Sequence, residues 1–339
     1  MTKRWTRRPE GSNWGDFGED DQLGSLNYIT PDCVLRAVAE VRAGLSFCLS
    51  LPLDYPGGRV LAPHRFPPVL APTERKGQPY FNFSFSQLAE HFCDVGCDDA
   101  VTLCTQYSTQ WDSFAHIGAS FDLDGDGTPV PCFYNGFRAG EHILAPDDRP
   151  DGLAMPLGID RFAEKAIQSR GVLLDLDRHF GRDKQTLGLG PLLQVIEHDG
   201  VAIQPGDTLC LHTGFGDEVM KMKGTPDPER LHNMCAALDG ADEPLQNWLS
   251  ETRIAALVAD NFAVEGFPYA ERRETGRYAG LPVHQKCLVD LGIHLGELWY
   301  LSALARYLRE HRRWRFLLTA PPLRLPGSFG SPATPVATV

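Results

Sequence analysis

The order of apolar runs and helical segments predicts an α/β protein. Three stretches read as buried strands by their length and their Leu, Val, Ile and Ala content: Gly171 to Leu176, Thr208 to Thr213 and Ile254 to Ala259. Helical patterns over 192–198 and 245–252 separate them, so strand and helix alternate as in a sheet covered by helices. Polar residues close each run, which is where α/β folds present functional groups.

Composition narrows the function classes. Hydrophobic residues make up 42% of the 339 and charged residues 22%, which suits a large core. We read one domain over 1–339 with an N-terminal arm over 1–29. A net charge of −12 argues against a nucleic-acid partner, whose phosphates need Lys and Arg. No apolar run approaches the ~20 residues of a membrane helix, so no membrane partner is expected. The basic start, Met1 to Pro9, has no apolar region behind it and is not a secretory signal. Nine scattered cysteines, an odd number, fit reduced thiols and a cytoplasmic location. His91, Cys93 and Cys97 lack the fourth ligand of a structural zinc site.

Taken in order, Trp14, Phe17 and Leu26 should pin a Gly-rich arm across the body. Thr30-Pro31-Asp32 opens a helix as N-cap, first-turn proline and favourable acid, with Val34, Leu35, Val38 and Val41 as its buried stripe and Gly44 as its end. Leu45 to Leu53 alternates as a strand. Residues 54–80, rich in Pro and Gly, read as a long irregular loop bordering the site, and Phe81 to Phe85 as another strand. Asp122 to Gly127 matches the first half of a calcium loop, but Phe133 stands where its Glu should be, so a tight Asp/Gly hairpin is the better reading. His212 is either a site residue or a half-buried strand histidine. Asp260-Asn261 either touches ligand or caps a turn. A helix over 301–309 and a strand over 314–319 close the chain.

The informative stretch is Leu103 to His116. Read as a strand, it places Gln106, Ser108, Gln110 and Asp112 on one face and Thr105, Tyr107, Thr109 and Trp111 on the other, with His116 folding back over the polar row. Two amides, a carboxylate and an imidazole could hold a cation or polarise a carbonyl. An ordinary amphipathic strand with its polar face in water shows the same alternation.

This stretch resembles the signature His-x-Gly-Thr-His-x-Asp-x-Pro-x-His of the cyclase family of metal-dependent hydrolases, which includes kynurenine formamidase and isatin hydrolase. Gln106 and Gln110 stand at the first two His, Ser108 at the Gly, Thr109 at the Thr, Asp112 at the Asp, Phe114 at the Pro and His116 at the last His. The resemblance runs over about residues 12–337. It implies a swivelling β/β/α fold, a barrel-like mixed sheet with flanking helices, assembled as a homodimer or homotetramer. It also implies a divalent metal ion held by Gln106, Gln110, Asp112, His284 and Glu297, with the last two matching a later ligand segment. His116 and Asp112 would then be catalytic, and Ser108, Trp111, Phe114, Asp260 and Asn261 would contact a small-molecule substrate.

The function expected from this is hydrolysis of an amide, lactam or lactone by metal-activated water, with His116 as acid and base. Amide oxygens in place of imidazoles shift the preference from Zn²⁺ toward harder ions such as Mn²⁺ or Mg²⁺. Two alternatives keep the fold: a metal-independent cyclase, dehydratase or isomerase using His116 and Asp112, and a non-catalytic binding protein.

Overall fold

The computed structural model describes residues 3–149, 152–266 and 278–339. Its centre is a nine-stranded mixed sheet: β1 (Ser46–Cys48), β2 (Gln110–Asp112), β3 (Gln168–Asp175), β4 (Thr208–His212), β5 (Ala256–Ala259), β6 (His294–Glu297), β7 (Arg315–Thr319), β8 (Gly330–Pro332) and β9 (Val336–Thr338). The spatial order is β1-β9-β7-β3-β4-β5-β6-β2-β8, curled into a half-barrel. β3 to β6 run parallel in register, Gly171 beside Thr208, Thr208 beside Ala256, and Ala256 beside His294. They are buried along nearly their whole length, which explains the apolar runs Val172 to Leu174 of β3, Leu209 to Leu211 of β4 and Ala256 to Ala259 of β5. Helices Leu189–Asp199, Glu243–Thr252 and Ser302–Glu310 are among those that cover them. The antiparallel strands flank this core, and β2 lies between β6 and β8. No helix among the described residues is long and apolar enough to cross a membrane.

Several local expectations are corrected. Only Gln110–Asp112 of the expected 103–112 strand is strand, because the chain turns through 105–109 before entering the sheet. The strand expected over 45–53 shortens to Ser46–Cys48, where its pairing with β9 ends. The helix Pro31–Val38 does start at Thr30, whose Oγ1 accepts from the Cys33 amide, but it buries Cys33 and Ala37. Leu35 and Val38 are 66% and 49% exposed. Small side chains let this short helix approach β3 closely, and the larger ones are left outside. Within the expected loop 54–80, Val69–Pro72 pairs with Asp99–Thr102, and Glu74–Arg75 with Gln78–Pro79. The strand expected over 81–85 is reduced to Phe83–Ser84, paired with Val95–Gly96. Asp122 accepts from the amides of Gly125, Asp126 and Gly127, and Ala119–Phe121 pairs with Val130–Cys132, forming the expected hairpin. All nine cysteines are unpaired.

The N-terminal arm, of which residues 1 and 2 lie outside the described residues, is stitched to the segment Gln285–Leu291, a π-helix. Trp14 is buried and donates from Nε1 to Val289 O at 2.6 Å. Asn13 Nδ2 and Ser25 Oγ both donate to Leu291 O, at 2.7 and 2.8 Å. Gly24 has φ +53, and a Cβ there would collide with the backbone of Gly292. Two glycines in contact allow the arm to lie directly on the end of the π-helix.

Asp175, His212 and Ser302 form a buried hydrogen-bonded chain at the ends of β3 and β4. His212 Nδ1 lies 2.8 Å from Asp175 Oδ1, and Nε2 lies 3.2 Å from Ser302 Oγ. Arg309 Nη2 reaches Asp175 Oδ2 at 2.6 Å. His212 is therefore a structural histidine held inside the sheet. Burial alone would lower its pKa, but the Asp175 hydrogen bond and the Asp260 charge outweigh it and raise it. Burial would raise Asp175, and His212 and Arg309 outweigh it and lower it. A raised His pKa contributes stability that is complete below the unfolded value of ~6.5 and is lost as pH climbs through the folded one. His212→Asn should thus destabilise by about 3 kcal/mol at pH 6. Thermal melts of both proteins from pH 6 to 9 should show the gap narrowing as pH rises. A gap constant with pH would assign His212 a neutral role.

Candidate active site

Strand pairing brings the first members of the site together. β2 lies antiparallel to β6 with Gln110 opposite Glu297, so their side chains share a face. Gln110 Nε2 donates to Glu297 Oε2 at 2.8 Å. Asp112, two residues along the same face, is fully buried and accepts from Gln106 Nε2. The turn through 105–109 folds Gln106 back over the strand end. A regular strand is therefore not what aligns Gln106 with Gln110 and Asp112.

His284 arrives on the short helix Pro282–His284, in the connection between β5 and β6. Its Nε2 stands 3.2 Å from Glu297 Oε1 and 3.9 Å from Asp112 Oδ2. Its Nδ1 lies 2.8 Å from Glu265 Oε1. The same Glu265 carboxylate accepts the amides of Val283 and His284, at 3.0 and 2.9 Å. One buried carboxylate thus caps the helix and orients the ring, leaving Nε2 aimed at Asp112 and Glu297. Sequence reasoning missed Glu265. The available signal was an acid closing the segment Asp260 to Glu265. That segment contains Ala263 and Val264 at φ 77 and 58, unusual for residues with side chains and most of all for a β-branched one. The strained turn swings Glu265 toward His284.

His294 is a second missed residue. Its Nδ1 lies 2.7 Å from Asp112 O, and its ring is stacked between Phe114 and Phe162, with centroids 4.0 and 4.1 Å away. Burial pushes its pKa down to about 3, so the ring is neutral and Nδ1–H donates to the carbonyl. This clamp fixes the backbone at Asp112.

The electrostatics follow from burying three charged groups together. Burial and the neighbouring Glu297 carboxylate push Asp112 up to about 7, against the opposing pull of His284 and Gln106. Burial alone would lower His284, but its hydrogen bond to Glu265 and the Glu297 carboxylate beside Nε2 raise it to about 10. Burial would raise Glu297, and His284 outweighs it and lowers it. His116 is half-buried, and burial, His284 and Arg65 push it down to about 3, so its ring is neutral.

The donor set fits a divalent cation. One ligand atom each from Asp112, His284 and Glu297 lies within 4.8 Å of the others. Asp112 Oδ2, Glu297 Oε1 and Gln110 Oε1 are buried with no hydrogen-bond partner, a cost that a cation among them would remove. A half-turn of the Gln110 amide would exchange its Nε2 for that unpartnered oxygen. The proton on His284 Nε2 would be displaced on binding.

Other expected site residues lie elsewhere. Ser108 Oγ donates to Pro52 O at 3.1 Å. Trp111 is fully buried, packed edge-on against Phe162 and Trp299, and Phe114 is fully buried against His294. These two belong to the main hydrophobic core. Asp260 accepts from Thr213 N and Oγ1 and Gly214 N, capping a turn. Asn261 Nδ2 donates to Ala236 O, while its buried Oδ1 has no partner. His179, His198 and Asp199 form a further group of ligand type at the surface, where Arg178 pairs with Asp199 at 3.3 Å and supplies the charge a cation would bring.

With the geometry established, comparisons place it among known proteins. The family model described as "Putative cyclase" matches residues 48–266, more than half of the chain. A crystal structure described as a novel cyclase is 29% identical, covers 97% of both chains and superposes with a TM-score of 0.75. Isatin hydrolase A from Labrenzia aggregata, bound to benzyl benzoate, is 13% identical over 89% of this chain and 94% of its own, with a TM-score of 0.55. Isatin hydrolase A from Ralstonia solanacearum is 14% identical over 91% and 98%, with a TM-score of 0.52. The last two are likenesses of fold. No curated protein sequence matches the chain.

Glu265→Gln keeps the size of the side chain and weakens its hold on His284. Metal affinity, measured by competition with a chelating dye, should fall about 10–100-fold with the fold retained. Unchanged affinity would separate Glu265 from the cation site.

Proposed function

The chain belongs to the cyclase family, and within it we propose that this protein is a metal-dependent hydrolase of an amide, lactam or lactone. The observation that carries the reading is the convergence of His284 Nε2 with two carboxylate oxygens that lack hydrogen-bond partners. Asp112, His284 and Glu297 would hold the ion, with the oxygens of Gln106 and Gln110 as neutral additions. A cation there supplies a polarised carbonyl and a more acidic water. Two carboxylates, one imidazole and amide oxygens favour Mn²⁺ or Mg²⁺ over a site built of nitrogen and sulfur for Zn²⁺.

The residues of the chain carry the proton. His116, neutral and at the edge of the cluster, accepts it from water as the oxygen attacks the carbonyl carbon. It returns the proton to the leaving nitrogen or oxygen as the C–N or C–O bond breaks. Glu265 and His294 act on the site through His284 and Asp112, holding ring and backbone in place.

One observation favours a second reading. The amide Nε2 of Gln106 faces Asp112, and that of Gln110 faces Glu297 with Asp112 3.5 Å away. With Asp112 raised to about 7, this arrangement suits acid–base chemistry without a metal, such as a ring closure, dehydration or isomerisation. For assembly, the exposed Val69, Leu70 and Val101 of the 69–102 ribbon support a homodimer or homotetramer, which light scattering would test.

Metal analysis of purified protein decides between the readings. Wild type should carry about one Mn or a similar divalent ion per chain, and Asp112→Ala should lose it while remaining folded. No metal in either would overturn the hydrolase reading and leave acid–base chemistry. Against a panel of aryl amides, lactams and lactones, His116→Ala should lower kcat by about 10²–10⁴-fold with metal content unchanged. Loss of metal in His116→Ala would make it a ligand instead.

A further inference from the structure

The cleft beside the cluster carries charge of the opposite sign to the chain as a whole. Against a net charge of −12, the small cleft that opens on Gln106 is lined by Arg59 and Arg65, together with Tyr107 and Phe262. A neighbouring cleft shares Leu61 and Phe262 with it and is lined by Lys184, Asn261 and Glu265. The one acid in that lining, Glu265, already spends both oxygens on Val283 and His284. The free charge of the groove is therefore positive.

Arg65 is the group placed to use it. It is half-buried, and its Nη1 donates to Gln106 O at 2.6 Å, which fixes the guanidinium beside a residue of the cluster. Among the described residues this is its one side-chain hydrogen bond, and no carboxylate pairs with it. Its charge reaches Asp112, Glu297 and His116. Arginine of this kind, anchored at one nitrogen and free at the others, presents a planar fork that matches a carboxylate. The rings of Tyr107 and Phe262 line the same cleft. We propose that Arg65 binds a carboxylate of the ligand, so that the substrate of this site is an acid, best matched by an aromatic or planar one. This rests on the reading of the cluster as the reaction centre, and it assigns the substrate's charged end to the Gln106 side of that centre.

Hydrolysis of an amide or lactone also creates a carboxylate, and that one would lie at the cation. The two sources are separated by titration calorimetry with benzoate and with neutral benzamide, on protein stripped with EDTA and on protein loaded with Mn²⁺. If Arg65 holds the anion, stripped wild type prefers benzoate over benzamide by at least tenfold. Arg65→Gln then removes that preference and leaves benzamide binding unchanged, and Arg65→Lys restores part of it. The intact benzamide affinity shows that the variant is folded and its cleft formed. Benzoate binding that appears only with Mn²⁺ and is indifferent to Arg65→Gln would overturn the proposal, as would equal affinity for the two probes in stripped wild type. Failure of the hydrolase reading looks different: no metal binds wild type, yet the Arg65-dependent preference persists.

Discussion

The structure turns on one imidazole held among three buried carboxylates. His284 sits with Glu265 on its Nδ1 side and Glu297 and Asp112 on its Nε2 side, all almost wholly removed from water. Burying three acids with one base is unfavourable unless further charge or hydrogen bonds arrive. Glu265 meets this condition by itself, since it accepts two backbone amides as well as the ring. Asp112 and Glu297 do not, and each keeps an oxygen without a partner. The asymmetry separates a carboxylate that organises the fold from two that await something else.

Much of the architecture around that imidazole serves to hold its neighbours in register. Asp112 and Glu297 come from adjacent antiparallel strands, and a slip of one residue in either strand would send its carboxylate to the opposite face. The neutral His294 between two phenyl rings prevents such a slip, because it ties the carbonyl of Asp112 to the strand that carries Glu297. The π-helix after His284 is braced in turn by Trp14, Asn13 and Ser25 of the arm.

The sequence was legible where local pattern and tertiary environment agree. The parallel strands β3, β4 and β5 are apolar runs because both faces are buried, and the resemblance to the cyclase family named Asp112, His284 and Glu297, whose ligand atoms the structure brings together. Legibility ended where long-range pairing decides. The row Gln106-Ser108-Gln110-Asp112 looked like one strand face, yet a turn brings Gln106 into place and sends Ser108 to Pro52. Leu35 and Val38 have helical spacing but lie outside, because closeness to the sheet selected the small Cys33 and Ala37. Glu265 could not be recognised from type alone, since its role depends on a helix start that follows far along the chain. His294 was hidden for a related reason: an imidazole between two aromatic rings leaves no local pattern.

The arm's attachment has a consequence for how the protein is made. The residues that Trp14, Asn13 and Ser25 grip belong to positions 289–291, and β1 pairs with β9 at 336–338. A ribosome emits these partners some hundreds of residues after the arm, at ~5–20 residues per second. For that interval the indole N–H of Trp14 and the first strand lack their native partners, and neither end of the sheet can be completed. The nascent chain therefore carries an unpaired edge until β9 is synthesised, which makes β1 and the arm the natural place for a chaperone to hold it.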